Sequence, residues 1–176
     1  MSYVYIKLET SLGNIVLELN SDAAPITVGN FMEYVVEKHY DNTIFHRVIA
    51  GFMIQGGGLN EDMSEKCCKH EPIHNEANNG LKNEKYAVAM ARTSDPHSAT
   101  AQFFINTHDN GFLNFSSETP RGWGYAVFGK VVEGFKVVDA IENVDTTSRS
   151  FHDDVPVEPV FLKSASILKD YTPPKA

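Results

Sequence analysis

The sequence predicts a mainly β fold, namely a closed eight-stranded antiparallel β-barrel capped by two α-helices. Eight short segments with the alternation or composition of strands are spread over the 176 residues, and two further segments have helical spacing. An antiparallel sheet of this size removes its exposed edges most simply by closing on itself. Side chains fill the interior of such a barrel, so a ligand is expected on its outer wall.

The N-terminal part predicts a β-hairpin followed by a helix. Residues Tyr3 to Leu8 and Ile15 to Leu19 alternate between apolar and polar side chains, and the polar stretch between them is a turn. The helix is expected to begin at Pro25, because proline suits the first turn. Apolar residues then recur at helical spacing as far as Val36, which indicates an amphipathic helix that covers a core.

The middle of the chain predicts two strands and a long irregular segment. The strands are Thr43 to Val48 and Phe52 to Gln55, and strict alternation along the first would place Phe45 and Arg47 on one face. Residues 56–80 are rich in glycine, asparagine and charge and have no clear period. Long ordered segments of this kind are more often functional than neutral.

Four strands and the second helix are predicted in the C-terminal half. The strands are Tyr86 to Ala91, Gln102 to Asn106, Ala126 to Val131 and Val160 to Leu168, and the helix is Phe135 to Ile141. We expect the first and last strands of the chain to pair, because that pairing closes the barrel.

Composition and charge favour an ordinary globular protein with peptide or protein partners. Hydrophobic residues make up 42% and charged residues 22%, and 15 Lys and Arg against 23 Asp and Glu give a net charge of −8. An acidic surface disfavours nucleic acid and anionic membranes as partners. The first residues lack the features of a signal peptide, so a cytoplasmic location is expected. We expect a monomer, with one domain over residues 1–170 and a C-terminal tail over 171–176.

The two cysteines, Cys67 and Cys68, are adjacent, which disfavours a disulfide because neighbouring residues rarely reach its geometry. Zinc bound with His70 and His74 is also disfavoured, since structural zinc usually takes thiols two to four residues apart. Residues 70–74 match the H-E-x-x-H pattern of metalloproteases, which requires a helix. Pro72 lies inside the pattern and makes that helix improbable. Neither metal site is therefore predicted.

The strongest functional signal is a set of sequence blocks rather than one motif. The first block, residues 44–57, reads IFHRVIAGFMIQGG and brings an arginine, an amide, aromatic rings and a thioether close together. The later blocks are AMART at 89–93, SATAQFFIN at 98–106, FLNF at 112–115 and GWGYAVFGKV at 122–131. Each block alone is a weak signal, but their order and spacing together are very specific.

In order and spacing these blocks resemble the cyclophilin family over about residues 6–168. The match is closest to the compact cytosolic bacterial-type branch, with its Asn75 to Leu81 loop. The resemblance implies a cyclophilin-like barrel and a peptidyl-prolyl cis–trans isomerase that assists protein folding. It also implies that the partners are proline-containing peptides and unfolded or flexible protein segments.

Carried over residue by residue, the resemblance implies that Arg47 is the catalytic residue. The residues implied to bind substrate are Phe52, Met53, Gln55, Ala91, Arg92, Gln102, Phe104, Phe112, Leu113 and Tyr125. Two of them depart from many eukaryotic members, which have tryptophan at the position of Phe112 and histidine at that of Tyr125. A cyclosporin-type inhibitor is therefore expected to bind weakly.

The chemistry of the reaction suits these residue types. Rotation about an amide bond has a barrier of about 18–20 kcal/mol because resonance stiffens the C–N bond. No covalent bond breaks, so no nucleophile, metal or cofactor is required. A guanidinium that donates to the twisted amide lowers the barrier, and arginine is always protonated. A non-catalytic module that only binds prolyl peptides is the alternative, and an isomerisation assay separates the two.

Overall fold

A computed structural model describes residues 2–174, which contain eleven strands and two α-helices. The helices are α1 (Pro25–Val36) and α2 (Phe135–Glu142). The strands are β1 (Tyr3–Thr10), β2 (Gly13–Asn20), β3 (Thr43–Ile44), β4 (Arg47–Ile49), β5 (Met53–Gly56), β6 (Ala87–Met90), β7 (Phe103–Asn106), β8 (Val127–Glu133), β9 (Thr146–Arg149), β10 (His152–Pro156) and β11 (Phe161–Leu168).

Nine of these strands form one antiparallel sheet in the order β3-β11-β1-β2-β8-β6-β7-β5-β4. Seven of the eight predicted strands and both predicted helices are confirmed, apart from shifts of a few residues at their ends, whereas the predicted strand Thr43 to Val48 is divided into β3 and β4. The expected pairing of the first and last strands is also confirmed, since β1 runs beside β11 from Tyr5 opposite Leu168 to Thr10 opposite Leu162. The sheet is therefore curled as a barrel fold requires.

The barrel is not closed by a continuous ladder of hydrogen bonds, which corrects the prediction in this detail. The ends of the sheet are β3 and β4, which are two halves of the strand predicted over Thr43 to Val48. Only Phe45 and His46 separate the halves, and the Phe45 amide still donates to the Val160 carbonyl at 2.9 Å. The chain itself thus connects the two ends of the sheet.

This break also makes one sequence prediction wrong. Phe45 and Arg47 do not share a face, because the backbone leaves regular strand geometry between them. Phe45 is fully buried, with its ring edge-on to Phe103 at 6.3 Å between ring centroids, whereas Arg47 is exposed. The side chain of Arg47 is therefore available on the outer wall.

Helix α1 covers the core with an aromatic and aliphatic face. Phe31 is fully buried and contacts the rings of Tyr40, Phe103 and Phe128 at 5.0–5.5 Å between ring centroids. The helix begins with proline, and the carboxylate of Glu76 accepts a hydrogen bond from the Thr27 amide at 2.7 Å. That contact fastens the irregular segment of residues 56–80 to the start of the helix.

Strands β9 and β10 form a separate hairpin that the sequence analysis did not predict. Every residue of β9 is exposed and polar, so it lacks the alternation that marks a half-buried strand. Its turn, at Ser150 and Phe151, has positive φ angles of 48° and 66°. The hairpin contacts β4 through β10, which places it beside Arg47.

The last described residues run beside the sheet. Tyr171, the first residue of the predicted tail, lies 5.1 Å from Tyr5 between ring centroids and donates a hydrogen bond to Glu133. Residues 175 and 176 of that tail lie outside the described residues. Among residues 2–174, neither helix has the length and apolar composition needed to cross a bilayer.

Candidate active site

A row of polar side chains crosses three neighbouring segments on the outer wall. Arg47 on β4 is paired in register with Gln55 on β5, and its Nη1 donates to Gln55 Oε1 at 3.3 Å. Gln55 Nε2 in turn donates to Oε1 of Gln102, just before β7, at 3.1 Å. The two amides thereby restrict the position of the exposed guanidinium.

An apolar pocket lies next to this row. Met53, Phe104 and Leu113 are buried and belong to one hydrophobic cluster, with Phe52 partly buried against it. The ring of Phe112 stacks on Phe52 at 5.7 Å between ring centroids, although Phe112 is 76% exposed. A small apolar ring can therefore enter between a fixed floor and an exposed aromatic rim.

The row and the pocket border one cavity of about 500 Å³. Ten of the eleven residues implied by the resemblance line it, and the exception, Gln102, is hydrogen-bonded to Gln55. The ten are Arg47, Phe52, Met53, Gln55, Ala91, Arg92, Phe104, Phe112, Leu113 and Tyr125. Two residues that the sequence analysis did not assign to the site, His46 and His152, also line it.

Arg92 and Tyr125 form the wall opposite Arg47. The guanidinium of Arg92 lies over the ring of Tyr125 at 4.5 Å from its centroid, which is a cation–π contact. Arg92 Nε also donates to the Gly124 carbonyl at 2.9 Å, and Nη1 donates to the Thr93 carbonyl at 2.8 Å. Arg92 thus joins two loops and positions the Tyr125 ring, which in turn lies edge-on to Phe104.

Behind this wall lies Trp123, which is buried and does not line the cavity. Its ring is edge-on to His97 at 4.9 Å and to His74 at 5.5 Å, and the two imidazoles stack on each other at 4.2 Å. The Asn75 amide donates to His97 Nδ1 at 3.1 Å, and Asn75 Nδ2 donates to the Gly124 carbonyl at 3.1 Å. This cluster supports the loop that carries Arg92 and Tyr125.

Three buried asparagines support the pocket from below, and the sequence pattern did not predict them. Asn110 Nδ2 donates to the Phe52 carbonyl at 2.9 Å and to Asn106 Oδ1 at 2.8 Å. Asn106 Nδ2 donates to Asn83 Oδ1 at 3.0 Å, and Asn83 Nδ2 reaches the Leu113 carbonyl at 3.2 Å. The only signal in the sequence was a polar residue at the end of the apolar β7.

His46 is a buried imidazole next to Arg47. It is 5% exposed, and its Nδ1 is sealed from solvent without a hydrogen-bond partner. Burial, and then the neighbouring charges of His152 and Arg47, lower the pKa of His46 to about 4. His46 is therefore neutral at neutral pH, and its ring lies 6.0 Å from that of His152 between centroids.

The arrangement suits noncovalent chemistry on a peptide with a small apolar ring. The pocket can hold the ring, the amide of Gln55 can bind peptide backbone, and Arg47 can donate to an amide beside the ring. Within residues 2–174, no three His, Cys, Asp or Glu side chains lie close enough to hold a metal ion. In particular, the Cys68 thiol contacts Thr100 Oγ1 at 3.4 Å, and His70 contacts Glu37 at 2.8 Å.

Comparison with known proteins gives one family throughout. A family model described as cyclophilin type peptidyl-prolyl cis-trans isomerase/CLD matches residues 5–167. The chain is 64% identical over 163 residues to peptidyl-prolyl cis-trans isomerase cyp18 of Streptomyces antibioticus, covering 93% of this chain and 98% of the relative. It is 56% identical over 162 residues to isomerase B of Escherichia coli K12, covering 92% and 98%.

A solved structure supports the same conclusion. It is the cyclophilin type isomerase of Cryptosporidium parvum, crystallised in the presence of the dipeptide Ala-Pro. The TM-score is 0.76 at 26% identity, and the alignment covers 94% of this chain and 99% of the other.

Proposed function

The chain belongs to the family of cyclophilin-type peptidyl-prolyl cis–trans isomerases, and on that premise we propose that Arg47 is its catalytic residue. The protein catalyses rotation about X–Pro peptide bonds and so assists protein folding. An X–Pro bond takes tens to hundreds of seconds to isomerise unaided, which is slow enough to limit folding.

Arg47 acts on the amide as it twists. A twisted amide loses resonance, so the C–N bond loses its partial double-bond character. The nitrogen then carries a lone pair that can accept a hydrogen bond. A charged hydrogen bond made only in that state contributes about 1.5–3 kcal/mol, which is about a ten- to 150-fold acceleration. The contact between Arg47 and Gln55 supports this role, because it restricts the guanidinium before substrate binds.

The remaining site residues hold the peptide while the bond rotates. Phe52, Met53, Phe104 and Leu113 receive the proline ring, with Phe112 and Tyr125 as the rim. Gln55 binds substrate backbone, and the groove along Ala91, Arg92 and Gln102 takes the residues that precede the proline. Fixing one end of the peptide and removing water from the amide supply the part of the acceleration that Arg47 alone cannot provide.

The substrate class is the proline-containing peptide, in flexible or unfolded segments. The related structure obtained in the presence of Ala-Pro supports this class, as does a cavity of about 500 Å³ that is open at the surface. A cyclosporin-type inhibitor would occupy the same groove weakly, because Phe112 lacks the indole N–H of tryptophan. The net charge of −8 supports peptides rather than nucleic acid or membranes as partners.

The setting in which the protein acts follows from the same features. Residues 1–170 would form one isomerase domain that works as a monomer, with residues 171–176 as a tail. Cys67 and Cys68 are free thiols, which supports a cytoplasmic location where thiols stay reduced.

Catalysis, rather than peptide binding alone, depends on one observation: the exposed Arg47 guanidinium borders the proline pocket and is oriented by Gln55. Binding the ring requires only the apolar wall. The test compares Arg47→Ala with Arg121→Ala, which removes an exposed arginine that does not line the cavity.

In an assay of X–Pro isomerisation, Arg47→Ala should lower kcat/KM by at least about tenfold, the lower limit for one charged hydrogen bond. Arg121→Ala should leave it unchanged. Both variants should unfold at the wild-type urea concentration, because surface changes cost about 0.5 kcal/mol or less. Turnover of Arg47→Ala close to that of the wild type would remove Arg47 from the mechanism.

A further inference from the structure

The hairpin of β9 and β10 adds an unassigned wall to the site. The sheet order places β7, β5 and β4 side by side, and β10 contacts β4 on its far side. Along this direction the side chains follow in the order Gln102, Gln55, Arg47 and His152, the first three joined by hydrogen bonds. His152 is exposed and extends the cavity beyond Arg47.

The cavity is positive although the chain as a whole is strongly acidic. Its described lining contains two arginines, Arg47 and Arg92, and two histidines, and it includes no aspartate or glutamate, on a chain with a net charge of −8. Two carboxylates close to lining residues have other partners. Glu142 accepts from the Gly51 amide at 2.8 Å, and Asp153 accepts from Ser148 Oγ at 2.9 Å. A negative side chain of a substrate is thus the complementary charge.

The two histidines that line the cavity, His46 and His152, have different roles. His46 is buried and neutral, so it fills the base of this wall and faces His152 with its ring at 6.0 Å. His152 is exposed and can turn a ring N–H toward an occupant of the cavity. Arg47 supplies the permanent charge next to it, so the two side chains together offer donors to a carboxylate.

We propose that His152 is a specificity-determining residue that, with Arg47, favours an acidic side chain on the residue after the proline. The inference rests on the proposed function, which places the residues that precede the proline at Ala91 and Gln102. With the ring in its pocket, the chain after the proline then leaves across Arg47 toward β10. The substrate class is X–Pro-Glu or X–Pro-Asp within flexible protein segments.

The test uses three peptides that differ only in the residue after the proline: glutamate, glutamine or lysine. For the wild type, kcat/KM should be about tenfold higher with glutamate than with lysine, as expected for one favourable against one unfavourable charge contact. His152→Gln should reduce that ratio to about threefold, and His152→Glu should bring it to about one or below. Turnover of the glutamine peptide by each protein is the reference against which its turnover of the glutamate and lysine peptides is compared.

Arg149→Gln is the matched control, because it removes a full charge from the same hairpin on the side that faces Asn60, Glu61 and Asp62. It should leave the ratio unchanged. If Arg149→Gln and His152→Gln reduce the glutamate-to-lysine ratio equally, the proposal is overturned, because the charge of the hairpin then acts at long range. If both His152 variants leave the ratio unchanged, the proposal is also overturned. Turnover of the glutamine peptide by the wild type tests the isomerase function separately, since it involves no charge at that residue.

Discussion

Acid should destabilise this protein through His46, which precedes Arg47 in the chain. The folded protein holds the pKa of His46 at about 4, whereas an unfolded chain restores the ordinary value of 6.5. As pH falls through 6.5 the unfolded chain takes up a proton that the folded protein takes up only near pH 4. The contribution of His46 to the free energy of unfolding is therefore fully present above pH 6.5, and it is lost as the pH falls toward 4.

The size of the effect follows from the two pKa values. Their difference, at about 1.4 kcal/mol for each tenfold change in proton affinity, corresponds to about 3 kcal/mol. That is a large part of the 5–15 kcal/mol that is typical of folded domains, as an order of magnitude. The pKa of His46 is lowered because the imidazole is buried and its Nδ1 has no hydrogen-bond partner. Protonation would therefore place a buried charge next to Arg47.

Urea denaturation followed by circular dichroism, at about pH 7 and about pH 4, measures the loss. His46→Gln should lose about 3 kcal/mol less than the wild type over this interval, whatever its stability at pH 7. His108→Gln, which removes an exposed histidine, should lose as much as the wild type. If His46→Gln and the wild type lose equal amounts, the buried neutral state inferred for His46 is wrong.

Three further changes test other parts of the site. Phe104→Ala should cost about 3–5 kcal/mol of stability and raise KM, because Phe104 is buried in the pocket floor. The control Leu12→Ala, at an exposed residue, should cost little, and equal urea midpoints for the two variants would contradict this. Changing Cys67 and Cys68 to serine, or dialysis against a chelator, should leave kcat/KM within about twofold, and a loss that zinc restores would count against a metal-free reaction. Phe112→Trp should tighten inhibition by cyclosporin about ten- to hundredfold, because the added contact and hydrogen bond contribute about 1–3 kcal/mol. Peptide turnover should stay within a few-fold of the wild type. Equal inhibition of both proteins would show that the residue at 112 does not determine inhibitor affinity.

The barrel could be predicted because its strands are half-buried and carry a regular alternation. Tyr3 to Leu8 and Ile15 to Leu19 are clear examples, and both became strands of the expected hairpin. The hairpin of β9 and β10 could not be predicted, because all four residues of β9 are polar and exposed and carry no such pattern. Its position is set by contact with β4, which is a tertiary effect.

The candidate site shows a different limit. Its residue set came from the resemblance, whereas the local pattern placed Phe45 and Arg47 on one face and was wrong. The alternation of apolar and polar residues is the same whether a strand continues or is interrupted, so this periodicity cannot reveal the break at Phe45 and His46. The supporting asparagines were missed for a similar reason: Asn83 and Asn110 look like ordinary loop residues until the fold brings carbonyls within reach of their amides.

The cluster behind the Tyr125 wall also equips the protein with an optical reporter. Trp123 is the single tryptophan of the chain, and it is buried against two imidazoles and Phe115. Arg92 donates a hydrogen bond to the carbonyl of the next residue, Gly124. A ligand that displaces Arg92 and Tyr125 therefore changes the surroundings of the Trp123 indole. Intrinsic fluorescence can therefore follow groove occupancy without any added label, and the same emission will shift to longer wavelength when the barrel opens to water.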